Sequence, residues 1–264
     1  MLQSVINDLN LDQFLPMLSA LDQDGHISAM PHPDHDHPMF YWIFRNKDFS
    51  QWSSAKCSRV LWLSGPLECN IPQVSSYIVS QEKNAALNTE HFVLYFFCSA
   101  ATETRSVAAN FTHTLLNQIV CSSPMDKRIL IIRRFLYSLI EGISNKEASL
   151  SREERVLKEK GLPDISIQSI ILNAPPNELF TALEAVLGDE EQRGLSVIID
   201  GLDKVSYQQS EFIREVRAFV EYLQQRISKI KILLTSRPLA EIKDLFSGLP
   251  CIEHDRERKG PSVP

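Results

Sequence analysis

The sequence predicts a three-layer α/β fold, with a mainly parallel sheet and helices on both faces. Four short apolar runs are continuous rather than alternating, which is typical of strands buried on both faces of a parallel sheet. Segments with the apolar spacing of helices separate these runs, and strands that alternate with helices favour a doubly wound sheet with right-handed crossovers. The runs are residues 59–64 (RVLWLS), 91–98 (HFVLYFFC), 195–200 (LSVIID) and 231–235 (KILLT).

Two segments carry the helical pattern most clearly. Apolar residues recur every three or four positions from Val107 to Ile119 and again from Phe212 to Leu223, as they do on the buried face of a helix. The stretch VSSYIV, which begins at Val74, also resembles a helix.

The remaining segments set the domain organisation. We predict an N-terminal helix and a loop rich in histidine and proline at 1–38, one main domain at 39–254, and a short tail at 255–264. The highly charged stretch at 144–162 indicates a solvated helix or surface insertion, with a partner-binding arm as the alternative. An aromatic cluster opens the main domain, and we expect core packing there rather than a partner groove. It comprises Phe40, Tyr41, Trp42, Phe44, Phe49 and Trp52.

Composition excludes several classes of protein. The 264 residues carry a formal charge of −6, so no general attraction to nucleic acid or to an anionic membrane is expected. The five cysteines lack CxxC spacing, which favours reduced thiols over a disulfide frame or a zinc site. No apolar stretch approaches the roughly 18 residues of a membrane span, and the start lacks the pattern of a signal peptide. We therefore expect a cytoplasmic protein.

Two smaller patterns offer chemistry, and the plainer interpretation is favoured for each. Three histidines and two aspartates form a possible metal-binding tract, but the surrounding prolines favour a solvated loop. Cys98 at the end of the second run offers a nucleophile, but no partnered histidine is evident, so a buried thiol is favoured. The possible metal-binding tract comprises His32, Asp34, His35, Asp36 and His37.

The first strand ends in a glycine turn. The sequence SGPLECNIPQ at 64–73 follows an apolar run and precedes a helix-like stretch, and such strand–turn–helix arrangements are typical of loops that bind nucleotide phosphates. However, no two of the nine glycines lie within five residues of each other, so the chain contains neither GxGxxG nor GxxxxGK[ST].

Polar residues follow the other strands. Ligands gather at the carboxyl ends of strands in open α/β sheets. There, Asp200 and Asp203 suit magnesium binding and the orientation of a water molecule, and Arg237 suits contact with a terminal phosphate. The alternative for Asp200 is a helix-capping role.

The motifs VLWLSGP, VSSYIV, YFFC, LSVIIDGLD and KILLTSRP, taken in this order, resemble the fungal branch of the NACHT family of STAND-class P-loop NTPases. The resemblance extends over about residues 39–258. It implies a nucleotide-driven switch in a larger receptor-like protein, the P-loop NTPase-like version of the fold, and a parallel ASCE-type sheet with one further strand.

The phosphate loop departs from the family pattern Gly-x-x-Gly-x-Gly-Lys-Ser/Thr. Aligned without gaps, Gly65 matches the first glycine, while Glu68 and Asn70 replace the other two. Ile71 removes the lysine cation, and Pro72 removes both the magnesium-binding hydroxyl and one backbone donor. Glu68 adds a like charge that costs roughly 4 kcal/mol at about 4 Å and an effective dielectric of about 20. Asn70 tolerates left-handed backbone geometry, and Pro72 suits a first helical turn.

The second motif departs as well, because Lys204 stands where the family has a water-activating glutamate. We therefore expect a catalytically inactive homologue that serves as an interaction or signalling module, with protein partners and no cofactor. One alternative is a weak ATP- or GTP-binding switch that holds magnesium and phosphate through Asp200, Asp203 and Arg237. Another is a truncated remnant of a larger receptor.

Overall fold

The structure is a computed structural model. It describes residues 14, 23–29, 41–87, 89, 91–99, 107–149, 174–188, 194–205 and 210–253. The chain forms two compact units. The sheet unit comprises Gln23–Ala100, Gln192–Ser210 and Ile227–Pro264, and the helical unit comprises Met1–Asp22, Ala101–Glu191 and Glu211–Arg226.

The sheet unit is built on five parallel strands in the order β2-β3-β4-β1-β5. The four predicted strands are confirmed, with ends that differ from the prediction by at most one residue, and β5 is a further strand. This sheet is consistent with a P-loop NTPase-like fold, so the predicted α/β class is confirmed. The strands are β1 (Arg59–Ser64), β2 (His91–Phe97), β3 (Gly194–Asp200), β4 (Ile230–Ser236) and β5 (Cys251–Glu253).

Helices of the sheet unit cover one face of the sheet. Alternate strand residues on that face, such as Leu61, Ile198 and Leu233, share a core with Val74 and Ile78 of the helix after β1. Residues of the opposite face are buried as well, which explains why the apolar runs in the sequence are continuous. The helices that precede β2 are α1 (Gln23–Ala29), α2 (Tyr41–Phe44), α3 (Lys47–Ser53) and α4 (Ile71–Ala86).

Four members of the aromatic cluster, Trp42, Phe44, Phe49 and Trp52, pack in or against this core. Phe49 and Trp52 are buried, and the ring of Phe44 lies edge-on to that of Phe49 at 5.4 Å. The Trp52 indole Nε1 donates a hydrogen bond to the Ile232 carbonyl at 2.9 Å, which satisfies its buried polar atom. The predicted core role is therefore confirmed for these residues.

The helix α1 protects the outer edge of β2. The backbone N–H of Phe97 donates to the Gln23 side-chain carbonyl at 2.6 Å, and the Tyr95 hydroxyl donates to Asp24 at 2.5 Å. An edge strand presents unpaired backbone groups, and α1 satisfies one of them. The compact sheet unit therefore includes residues N-terminal to position 39.

A buried ion pair ties the end of α4 to the amino ends of two strands. Glu82 accepts hydrogen bonds from Lys231 Nζ and Ser196 Oγ, both at 2.6 Å. His91 Nε2 lies 2.8 Å from the same Ser196 hydroxyl. Burial lowers the pKa of His91, and Glu82 partly offsets that effect. This network could not be predicted from the sequence, because its members come from four separate segments.

The helical unit packs around phenylalanine rings. Phe111 stacks on Phe180 with centroids 5.1 Å apart, and Phe212 and Phe219 lie edge-on to Phe111. Both helices predicted from periodicity are confirmed. The helices are α5 (Val107–Ser122), α6 (Met125–Ser149), α7 (Pro176–Gly188) and α8 (Ser210–Arg226), and α9 (Ala240–Leu245) of the sheet unit follows β4.

Several predictions fall outside the described residues. These are the N-terminal helix near residues 2–9, the His32, His35 and His37 tract, the charged segment from 150 to 162 and the tail at 255–264. None of the described helices is long and apolar enough to cross a membrane. The segment boundaries at residues 38 and 254 and the cytoplasmic location remain predictions.

Truncating the ring cluster should destabilise the fold. We expect Phe111→Ala to lower the free energy of unfolding by about 3–5 kcal/mol, because it removes a buried ring and leaves a cavity. Urea denaturation followed by circular dichroism measures the change. Leu130→Ala is the control, since Leu130 is 60% exposed and surface changes usually stay within about 0.5 kcal/mol. Equal losses for the two variants would contradict the assigned core.

We expect Glu184 to make the stability of the helical unit depend on pH. Burial, and then the nearby Glu215 carboxylate, raise the pKa of Glu184 from 4.5 to about 7. Between these values the folded chain retains a proton that the unfolded chain releases, so stability is lost as the pH rises.

We expect Glu184→Gln to be more stable than the wild type at about pH 8 by about 1 kcal/mol, after allowance for solvent screening. The difference should vanish near pH 4.5. Thermal unfolding across this pH range measures it, and Glu211→Gln on the exposed face of α8 is the control. A gain in stability that is independent of pH would contradict the assignment.

Candidate functional site

The predicted site residues meet at the carboxyl ends of the strands. The chain leaves β1 toward β2 and leaves the adjacent β4 in the opposite direction, toward β5, so a topological switch point lies between β1 and β4. Ligands bind at such points in open α/β sheets. A cavity of about 220 Å³ opens there. It is lined by Gly65, Pro66, Asn70, Ile71, Pro72, Gln73, Asp200, Gly201, Asp203, Lys204, Thr235, Ser236 and Arg237.

The turn between β1 and α4 passes from the strand to the first turn of the helix through one left-handed residue. The Gly65 N–H donates to the Ser236 carbonyl at 3.3 Å, which extends the pairing of β1 with β4 beyond the strand. A short 3₁₀ turn then leads to Asn70, which has φ 52° and ψ 37°. Asparagine adopts this left-handed region more readily than most residues, so the backbone can turn here without glycine.

The residues that follow carry no chemistry for phosphate. Ile71 begins α4, is buried, and belongs to the same core as Val74. Pro72 lies in the first helical turn, where its missing N–H needs no intrahelical partner. At the positions that resemblance assigns to a lysine and a hydroxyl, the chain therefore offers an aliphatic side chain and an imino ring.

Glu68 lies apart from the other predicted residues. It is exposed on the 3₁₀ turn at Leu67–Cys69 and is not among the residues that line the cavity. The repulsion predicted from Glu68 stays a prediction, and the acidic side chains that line the cavity are Asp200 and Asp203.

Asp200 is the most connected side chain of the site. Its carboxylate is 1% exposed. One oxygen, Oδ1, accepts hydrogen bonds from Ser75 Oγ at 2.6 Å and Thr235 Oγ1 at 2.8 Å. The other, Oδ2, lies 3.2 Å from Lys204 Nζ. Thr235 Oγ1 in turn accepts the Gly201 N–H at 2.9 Å.

Thr235 was predicted at the site only as part of the strand end Thr235-Ser236-Arg237, and Ser75 was not predicted there. The position of Thr235 next to Asp200 could have been predicted from the strand register, because β3 and β4 pair in parallel with Ile199 opposite Leu234. The next residues along the two strands are Asp200 and Thr235, and both belong to the motifs quoted above. Ser75 gave no such signal, since a serine one turn into a helix is common.

Asp203 and Arg237 form a second pair. Asp203 Oδ1 accepts the backbone N–H of Arg237 at 2.9 Å, and Oδ2 accepts Arg237 Nε at 2.6 Å. The two contacts fix the turn after β4 to the turn after β3. The Arg237 side chain remains 47% exposed, so its charge stays in contact with solvent.

The electrostatics of the cavity are balanced. Asp200 is paired with Lys204 and Asp203 with Arg237, so each carboxylate has one cation. Among the described residues, no three His, Cys, Asp or Glu side chains form a group that could hold a metal ion. Magnesium is usually held through one or two carboxylates together with waters and phosphates, and here both carboxylates already have a cationic partner, so the side chains at the strand ends do not fit it.

Cys98 is an unreactive thiol in this setting. Its side chain is buried, and its N–H donates to the Asp200 carbonyl at 2.8 Å. Burial, and then the negative charge of Asp200, raise the pKa of the Cys98 thiol far above its ordinary value. A thiolate is the nucleophilic form of cysteine, so this thiol does not serve as a nucleophile.

A family comparison matches part of the chain. Residues 39–133 match the family model described as "Nephrocystin 3, N-terminal", which is about a third of the chain. The matched segment includes β1, the glycine turn and α4. This match does not test the NACHT resemblance or the fungal origin, which stay predictions. No curated protein sequence matches the chain.

Among solved structures, the chain is similar to a chain in the structure of Drosophila ORC bound to DNA. The TM-score is 0.35 and the sequence identity 8%. The similarity covers 91% of this chain and 46% of that chain, so the chain spans less than half the length of its structural neighbour.

The two carboxylate pairs should differ in their contributions to stability. We expect Asp200→Ala to lower the free energy of unfolding by about 3 kcal/mol, because it leaves buried hydroxyls and an ammonium without their acceptor. Asp203→Ala should cost about 1 kcal/mol, since its arginine partner is solvated. Chemical denaturation of both variants measures the difference. A larger loss for Asp203→Ala would contradict the assigned roles.

Proposed function

We propose that this chain is a non-catalytic P-loop NTPase-like domain, which acts by contacting protein partners and does not turn over nucleotide. One observation carries the proposal: Ile71 is buried in the core of the sheet unit, at the position where the resemblance calls for a phosphate-binding lysine. In such a loop the lysine cation reaches the β- and γ-phosphates of the nucleotide, and an aliphatic side chain supplies no such charge.

The energetic consequence is large. Charge-assisted hydrogen bonds contribute about 1.5–3 kcal/mol each. Ile71 removes one such contact and Pro72 a second, so affinity for a nucleoside triphosphate falls by roughly 10²- to 10⁴-fold. The remaining positive side chains at the cavity, Lys204 and Arg237, are paired with carboxylates, which lowers their attraction for phosphate further.

Loss of turnover has separate support. In the resembling family, the position of Lys204 holds a glutamate that activates water. A lysine paired with Asp200 carries three donors and no acceptor, so it does not take a proton from water. Hydrolysis therefore lacks its base as well as its phosphate cation.

The size of the cavity argues against nucleotide as a structural ligand. Its volume of about 220 Å³ is below the roughly 300–1,000 Å³ that is usual for small-molecule sites. This observation weakens the alternative of a weak ATP- or GTP-binding switch, which would need room for the base and sugar as well as for phosphates.

The helical unit offers a surface for a partner. A wide groove of about 850 Å³ lies along α6 and α7. Leu130 contributes an exposed apolar side chain, flanked by Lys127 and Arg134 of the same helix, and Ala185 lies on the opposite wall. Apolar side chains bordered by charged ones are usual at protein interfaces. The groove supports an interaction role and does not identify the partner.

Nucleotide binding tests the proposal. We expect the wild type to show no rise in Tm with millimolar ATP, with or without Mg²⁺, whereas a ligand at 100 times its Kd stabilises by about 2.7 kcal/mol. The matched variant restores the loop through Glu68→Gly, Asn70→Gly, Ile71→Lys and Pro72→Ser. It should gain binding in the absence of metal, provided circular dichroism shows that it folds. ATP hydrolysis by the wild type that Asp200→Ala abolishes would overturn the proposal.

A further inference from the structure

The Lys204 ammonium lies beside the buried Asp200 carboxylate, 3.2 Å from Oδ2. A P-loop NTPase-like fold implies a divalent cation beside this carboxylate, and the residues present do not fit one. We propose that the Lys204 ammonium is a tethered cation that substitutes for the divalent ion, so that the strand ends are held together without metal or nucleotide. The inference rests on the proposed loss of nucleotide binding.

Both oxygens of the Asp200 carboxylate already have polar partners. Oδ1 accepts the hydroxyls of Ser75 and Thr235 at 2.6 and 2.8 Å, and Oδ2 lies 3.2 Å from Lys204 Nζ. A buried carboxylate needs hydrogen bonds and a countercharge. Lys204 supplies the countercharge, so a metal ion would have to displace it before binding.

The turn after β3 is built to bring the lysine back to the strand end. Gly201 has φ +75° and starts a 3₁₀ turn over Leu202–Lys204. A Cβ at Gly201 would lie 2.8 Å from Lys204 Cε and 2.9 Å from Nζ. The left-handed backbone at Gly201 favours glycine, and a Cβ there would force the lysine stem to shift from its place beside Asp200.

The other potential metal ligands are missing or occupied. Pro72 has no hydroxyl, and both oxygens of Asp203 accept hydrogen bonds from Arg237. Magnesium demands near-octahedral oxygen coordination, whereas an ammonium is a compact cation that a single carboxylate can hold. The side chains at this edge therefore favour a lysine over Mg²⁺.

The tethered cation also fixes a helix. Ser75 belongs to α4 and Thr235 to β4, and both donate to the carboxylate that Lys204 neutralises. In a metal-dependent site the position of such a helix would vary with ligand. Here the countercharge is a side chain of the protein itself, so the arrangement does not depend on a bound ligand.

Binding of Mn²⁺ alone, measured by the loss of its free electron paramagnetic resonance signal, tests the inference. We expect no saturable binding at the strand ends of the wild type at millimolar Mn²⁺. Lys204→Met should bind Mn²⁺ at least about tenfold more tightly, and adding Asp200→Asn should abolish that gain. The control is Lys127→Met on α6, which removes an equal charge elsewhere and should behave like the wild type.

Two results would overturn the inference. One is Mn²⁺ binding by the wild type that Asp200→Asn abolishes. The other is a folded Lys204→Met protein that gains no binding. Since no nucleotide is present, these outcomes are distinct from a failure of the proposed function, which metal-free ATP binding by the wild type would reveal.

Acetylation of the wild type keeps the inference testable if Lys204→Met does not fold. Mass spectrometry follows the modification of Lys204 and Lys127 with and without millimolar Mn²⁺. We expect slow modification of Lys204 that Mn²⁺ leaves unchanged. Faster modification of Lys204 on addition of Mn²⁺ would mean that the metal displaces the ammonium, and modification as fast as that of Lys127 would mean that it is unpaired. Either result contradicts the inference.

Discussion

The buried carboxylate of Asp200 is the constraint on which the strand-end arrangement depends. A charge that is 1% exposed is tolerated only when its hydrogen-bonding capacity and its charge are both satisfied. The donors come from three separate elements: Ser75 of α4, Thr235 of β4 and Lys204 of the turn after β3. Moving any of these elements would expose or orphan the carboxylate, so the single charge sets their mutual positions.

A second carboxylate fixes the other end of α4 to the sheet through hydrogen bonds. Glu82 projects from the last turns of the helix to Lys231 and Ser196, at the beginnings of β4 and β3. The helix is therefore held by polar contacts near both of its ends, while Val74 and Ile78 pack between them. Apolar burial supplies most of the stabilisation of such a layer, and the two carboxylates fix its register along the strands.

Much of the fold was predictable, because local pattern and tertiary environment agree. Continuous apolar runs predicted β1 to β4, since both faces of these strands are buried. The position of β5 was not predicted, because this strand is three residues long and only Ile252 is buried. At the site, the absence of a phosphate-binding lysine and hydroxyl was predictable from the residue types at Ile71 and Pro72 alone. Glu68 is not among the residues that line the cavity, and its effect on phosphate stays a prediction, since spacing does not reveal which way a 3₁₀ turn directs a side chain.

The covering of β2 by α1 limits how the sheet can grow. Pairing with a strand from another molecule needs free main-chain donors and acceptors along an edge. At Phe97 the donor is already bound to Gln23, so a foreign strand would have to remove α1 before it could add to that side. In the part of the chain that the structure describes, the opposite border is β5, a strand of three residues, which is shorter than the about six or seven residues of a typical cross-β segment. Addition of a foreign strand is therefore hindered at Phe97 by a helix and finds only a short described strand on the other side.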